Sequence, residues 1–194
     1  MTIDVKKGYR INIQKENGDK LTKFFLAGGW DKQEGIGDEF DLDLAIIPLN
    51  ENDKLTSEDD ICFFNNQVTL NGALNLDGDN RTGEGDGDDE TIAIDTDKIP
   101  EHVTKLVGVI GIYEAKEKNQ NFGMSKNASV RVLDKENDKE TEHFKYDLTE
   151  DYSSNHAVAV CEIYKKDGLW KFHARGEGIS DVSNIIEVYK KLGY

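Results

Sequence analysis

The 194-residue chain has two cysteines and no long apolar run. Nothing approaches the roughly 20 apolar residues of a membrane span. The first residues, Met-Thr-Ile-Asp-Val-Lys-Lys, contain no apolar segment of the secretory-signal type. A cytoplasmic protein is the resulting expectation. Cys62 and Cys161 each sit in an apolar run, which predicts buried thiols instead of a disulfide, and two isolated cysteines make no zinc site. The four histidines are scattered without ligand spacing. There is no Gly-x-Ser-x-Gly nucleophile elbow and no phosphate-binding Gly-x-x-x-x-Gly-Lys-Ser loop. Nothing marks a carboxylate as a general acid, so the chain is not expected to be an enzyme. Positive charge is also short: 24 Lys and Arg stand against 39 Asp and Glu, a net charge of -15. That balance argues against nucleic acid as a partner.

The negative charge is concentrated. Residues 1–30 sum to +3, residues 31–90 to -15, and residues 91–194 to -3. Two dense clusters carry it. The first is Trp30-Asp31 with Asp38-Glu39-Phe40-Asp41-Leu42-Asp43; the second runs from Asp77 to Glu90 and alternates glycine with acid from Gly83 onward. Crowded carboxylates repel one another. Hard oxygen donors with glycines between them point to a divalent cation, Ca²⁺ foremost. On a strand, Asp41 and Asp43 project to one face while Leu42 and Leu44 face the core. Asp31 is placed on a connection that Gly28-Gly29 lets turn sharply. The second cluster does not fit the EF-hand pattern counted from Asp77, because Arg81 falls where Asp or Asn is required, Thr82 where glycine is and Asp88 where Glu is. A solvated acidic loop is the plain alternative. Two glycine-bearing clusters beside an apolar core favour the cation.

Apolar residues make up 37% of the chain, but they fall in short runs with period-two alternation. These are Tyr9–Ile13, Leu44–Ile47, Ile61–Phe64, Thr91–Ile94, Lys105–Tyr113, Ala128–Val132, His143–Leu148, Ala157–Tyr164 and Leu169–Ala174. Polar turns such as Asn17-Gly18-Asp19 and Lys166-Asp167-Gly168 separate them. About ten strands joined this way predict an all-β fold, an antiparallel β-sandwich. Val182, Ile185, Ile186 and Tyr189 keep helical spacing, which predicts one C-terminal helix capped by Ser180 or Asp181. With no linker and no repeat, residues 1–194 read as a single domain.

Several of these segments resemble one family. They are Gly29-Trp30-Asp31, Phe40-Asp41-Leu42-Asp43, Phe64-Asn65-Asn66, Gly78–Glu90, Asn121-Phe122-Gly123, Tyr146-Asp147-Leu148 and Leu169-Trp170-Lys171-Phe172. Together they are similar, nearly end to end, to the TerD family of tellurium-resistance and stress-response proteins. The resemblance implies a Ca²⁺-binding β-sandwich with ions held by loops at one end. It implies a setting of tellurite, phage and colicin resistance, with other stress-resistance proteins as partners at the inner membrane face. Carried over by position, it implies Asp31, Asp41, Asp43, Asp86, Asp88, Asp89 and Glu90 as metal ligands. Asn80 and the carbonyls of Gly85 and Gly87 are secondary members. Ile179–Tyr194 departs from the usual family ending. Some relatives are described as cyclic-AMP-binding, so a cyclic-nucleotide-binding protein or a metal-dependent phosphoesterase is the alternative reading.

Overall fold

The computed structural model describes residues 3–15, 17–32, 40–77, 88–136, 139–148 and 152–194. Its strands are, in order, β1 (Ile3–Asp4), β2 (Arg10–Asn12), β3 (Lys23–Lys32), β4 (Leu42–Leu49), β5 (Val68–Thr69), β6 (Leu74–Asp77), β7 (Glu90–Asp95), β8 (Lys105–Ile112), β9 (Ser125–Glu136), β10 (Lys139–Asp147), β11 (Ala157–Lys166) and β12 (Leu169–Ile179). The helices are α1 (Ala115–Lys118) and α2 (Ile185–Lys191). The expected β-sandwich is present. One sheet has the order β1-β10-β9-β3-β7-β6-β5, and the other has β2-β12-β11-β8-β4. Every pairing is antiparallel except β1 with β10. No described helix is long and apolar enough to cross a membrane.

The two sheets enclose one apolar layer, with Phe24, Leu26, Ile92 and Val132 on one side and Leu42, Leu44, Ile110 and Phe172 on the other. A second cluster covers the outer face of the five-stranded sheet, where Ile47, Val107, Val109 and Ala159 meet Val182, Val188 and Tyr189. This sheet is therefore buried on both faces. That is why β4, β8 and β11 read as continuous apolar runs, while Phe144 and Tyr146 of β10 and Leu148 just after it alternate cleanly. Both cysteines are buried free thiols, and burial pushes each pKa up to about 12.

Three local expectations need correction. First, Gly28 and Gly29 form no turn; they lie inside β3, and so does Asp31. A Cβ on Gly28 would sit 3.4 Å from Ile110 Cδ1 of the facing sheet, so the glycine admits a close inter-sheet approach. Second, Ile61–Phe64 is no strand. It makes isolated bridges, of which Ile46 with Cys62 runs along the outer edge of β4. A further bridge joins Leu49 to Leu55. Third, α2 begins after Asn184, not after Ser180 or Asp181. The Asn184 side chain accepts from Glu187 N, and the Glu187 carboxylate accepts from Ser183 N at 3.0 Å. This reciprocal pair satisfies N–H groups that the helix leaves open. Val182 still packs on the sheet, but ahead of the helix.

Candidate metal centre

Asp31, Asp88, Asp89 and Glu90 lie where the end of β3 meets the start of β7, and Glu90 reaches across to β4. β3 and β7 run antiparallel with Gly28 opposite Glu90. One residue earlier, Asp89 N donates to Gly28 O at 2.9 Å. Trp30 N then donates to Asp89 Oδ2 at 2.8 Å, so a side chain continues the ladder. Burial raises the Asp89 pKa most; the Trp30 N–H opposes this, and the negative charges of Asp31 and Asp88 raise it further. Asp31, Asp88 and Asp89 thus share one electrostatic field.

Asp31 lies at a bulge, where the pairing of β3 with β9 shifts between Gly29 and Asp31. The bulge re-aims the side chain. Its Oδ2 accepts from Asn127 Nδ2 at 2.8 Å. Glu90 is only 1% exposed, and its Oε2 accepts from Leu44 N at 2.6 Å. The carboxylate of one sheet therefore holds the edge strand of the other. Asp43 is the neighbour of that same Leu44. Asp41 is also buried, and its carbonyl accepts from Tyr113 N at 3.0 Å. Leu42 and Leu44 face the inter-sheet layer, which places Asp41 and Asp43 on the opposite face of β4, as the alternation predicts.

Asp88 has a different neighbour. Arg131 on β9 grips it with both arms, Nε to Oδ1 at 2.6 Å and Nη2 to Oδ2 at 2.6 Å. The same guanidinium reaches Glu142 Oε2 and Glu140 Oε1, each at 2.9 Å. The Asp88 side chain leads these contacts in raising the Arg131 pKa above its already high ordinary value, against the opposing effect of burial. This bidentate fork is the strong form of a charge-assisted pair. Sequence reading missed Arg131. Its only local signal is a basic residue between Val130 and Val132 on an alternating strand. Arg81, the one base of the acidic loop, lies outside the described residues, as do the candidate ligands Asn80, Gly85, Asp86 and Gly87. Among the described residues, no group of three or more Asp, Glu, His or Cys side chains encloses a metal site by itself. Of the described acids, Asp31, Asp88 and Asp89 share one field at the start of β7, directly after the glycine–acid segment, whereas Asp41 and Asp43 lie on the outer face of β4.

The TerD domain profile matches residues 1–189. The chain belongs to the TerD family. A tellurium resistance protein, TerD of Serratia marcescens, is 37% identical over 92% of this chain and 91% of its own length. An uncharacterized Bacillus subtilis (strain 168) protein, YceE, is 44% identical over 93% of each chain. Among solved structures, a Streptomyces coelicolor A3(2) homologue of telluride resistance protein (TerD) superposes with a TM-score of 0.72, covering 90% of this chain and 98% of that one at 18% identity. That likeness concerns the fold. The TerD membership spans both acidic clusters, so this TerD-family chain presents its carboxylates within the matched domain.

Proposed function

We propose that this TerD-family protein is a Ca²⁺-binding module that acts by recognition and not by catalysis. The supporting observation is the crowding of Asp31, Asp88 and Asp89 beside the start of β7, where burial and these neighbours raise the Asp89 pKa. The donor set fits the ion. It is all oxygen and densely anionic, and Ca²⁺ takes 6–8 oxygens in flexible geometry. Asp31, Asp41, Asp43, Asp89 and Glu90 would hold it from the strand side. Asn80, Asp86 and the carbonyls of Gly85 and Gly87 would hold it from the loop side. Asp88, already gripped by Arg131, would fix the chain just ahead of β7 beside the ion. Mg²⁺ suits the set less well, because it keeps several of its waters.

Neutralising this pole changes what the protein can approach. Without the ion, the acidic end repels anionic surfaces within about a Debye length, roughly 8–10 Å at physiological salt. With it, an acidic protein or an anionic membrane face becomes a tolerable partner. This is the physical route by which we connect the chain to the tellurium-resistance role named for its Serratia relative. We place it in the cytoplasm, with other stress-resistance proteins as partners at the inner membrane face.

Calorimetric titration with Ca²⁺ against Mg²⁺, paired with thermal melts, tests the reading. At 100 times the dissociation constant, a single ion adds about 2.7 kcal/mol. For a chain of this size that is a rise of roughly 5–10 °C in Tm. The absence of both heat and Tm shift with millimolar Ca²⁺ would refute it. Turnover of phosphoesters under several divalent metals, lost in Asp41→Asn, would favour the enzymatic alternative instead.

A further inference from the structure

The outer face of the five-stranded sheet holds a cavity of about 240 Å³ beside the N-terminal end of α2. Its floor is built from small residues. Gly111 on β8 stands between Asp43 on β4 and Ala157 on β11, and Ala45 sits in the next row of the same face. A Cβ placed on Gly111 would meet nothing nearer than Ala157 Cβ at 3.6 Å. The hollow thus exists because this row lacks bulk. One wall is aromatic: Phe64 meets Phe63 edge-on at 5.3 Å and Tyr113 at 5.6 Å.

The formal charge of the cavity lining is negative. Among the described lining residues, Asp43 is the single formal charge, and no lysine or arginine is present. His156 places Nδ1 3.1 Å from Val182 O. A carbonyl only accepts, so a ring proton sits on Nδ1. Anionic ligands, nucleotides included, would bring their charge toward Asp43 with no described lining cation to meet it. A ligand with N–H donors and positive charge matches the cavity. Its size is bounded too: a 150 Å³ apolar cavity takes one benzene ring, so about 240 Å³ admits a ring with a short chain.

We propose that this cavity binds a small arylalkylamine. The ring lies against the Gly111–Ala157 floor and the aromatic wall, and the ammonium is received by Asp43. A carboxylate offers about four lone-pair directions, so Asp43 can accept an ammonium alongside its other contacts. The proposal shares Asp43 with the Ca²⁺ reading above, and testing it with chelator present separates the two: amine binding then stands or falls without the ion.

The full chain is titrated with 2-phenylethylamine, 2-phenylethanol and 3-phenylpropanoate while amide shifts are followed by NMR. The expected result is saturable shifts at Ala45, Gly111 and Ala157, with the amine bound about tenfold more tightly than the alcohol and the carboxylate weakest. Gly111→Ala, which puts a methyl into the hollow without a clash, weakens the amine and the alcohol together. Asp43→Asn removes the amine's advantage and leaves the alcohol unchanged. If a variant fails to fold, the ranking of the three probes on the native chain decides alone. Equal binding of amine and carboxylate, shifts mapping to another face, or no saturation at millimolar probe would each overturn the assignment.

Discussion

Glu90 offers the sharpest test of how the acidic pole is held together. It belongs to β7 of one sheet, yet its Oε2 accepts at 2.6 Å from the backbone of Leu44 on β4 of the other. Leu44 is fully buried. Truncation by Glu90→Ala therefore strands an N–H that water does not reach. A hydrogen bond to a charged group contributes about 1.5–3 kcal/mol, and removing one partner leaves the desolvation cost of the other. Relief from burying a carboxylate offsets part of this loss. The expected net destabilisation is about 2 kcal/mol. At about 2–4 °C per kcal/mol for a chain of this length, Tm falls by roughly 4–8 °C. Glu90→Gln keeps an acceptor but loses the charge, which roughly halves the strength of the bond; its expected loss is about 1 kcal/mol. Circular-dichroism melts of the three proteins in chelator at neutral pH give the comparison. Adding Ca²⁺ then separates the two roles of the residue, since a ligand would also lose part of the ion-induced rise. If both variants melt within a degree of the native protein in chelator, Glu90 does not join the sheets and the reasoning fails.

Asp89 predicts a pH dependence of definite sign. Its folded pKa is raised, so the folded chain holds the proton more strongly than the unfolded chain. Its contribution is therefore stabilising below the unfolded value and is lost as pH rises through the folded value. Asp89→Asn should flatten that limb in melts across acid pH and melt above the native protein in calcium-free neutral buffer; with saturating Ca²⁺ the order reverses. Arg131→Ala leaves Asp88, Glu140 and Glu142 without their shared cation. It should destabilise by about 1–3 kcal/mol, less so in high salt, and a salt-independent loss in denaturant titrations would contradict the electrostatic account. Gly176 has φ +57, and an added Cβ would run into the hydroxyls of Tyr146 and Tyr152, themselves 3.0 Å apart. Gly176→Ala should cost about 2–4 kcal/mol, from left-handed strain plus overpacking, read from the midpoint of urea unfolding.

The sandwich was legible because burial writes a period of two into most strands. Phe144, Tyr146 and Leu148 show it clearly. β3 was not legible. Phe24-Phe25-Leu26-Ala27 runs straight into Gly28-Gly29, and a glycine pair looks like a turn until the facing Ile110 is known. β1 and β5 are two residues each and exist only because β10 and β6 offer them a ladder. At the acidic pole, the composition announced a crowd of carboxylates and the alternation placed Asp41 with Asp43. It could not reveal that Asp88 would meet Arg131, 43 residues away in the chain. Local spacing carries no information about such register-dependent pairs.

The wrapping of β4 bears on behaviour at high protein concentration. β4 closes one side of its sheet and is rich in isoleucine and leucine, the kind of strand that recruits copies of itself into aggregates. Four of its outward backbone groups are already spoken for: Ile46 exchanges both hydrogen bonds with Cys62, Pro48 O receives Thr56 N, and Leu44 N is taken by Glu90. This edge of the sheet is therefore a poor template for a second copy. Loosening the 55–62 segment should therefore show itself as insolubility before it shows itself as unfolding.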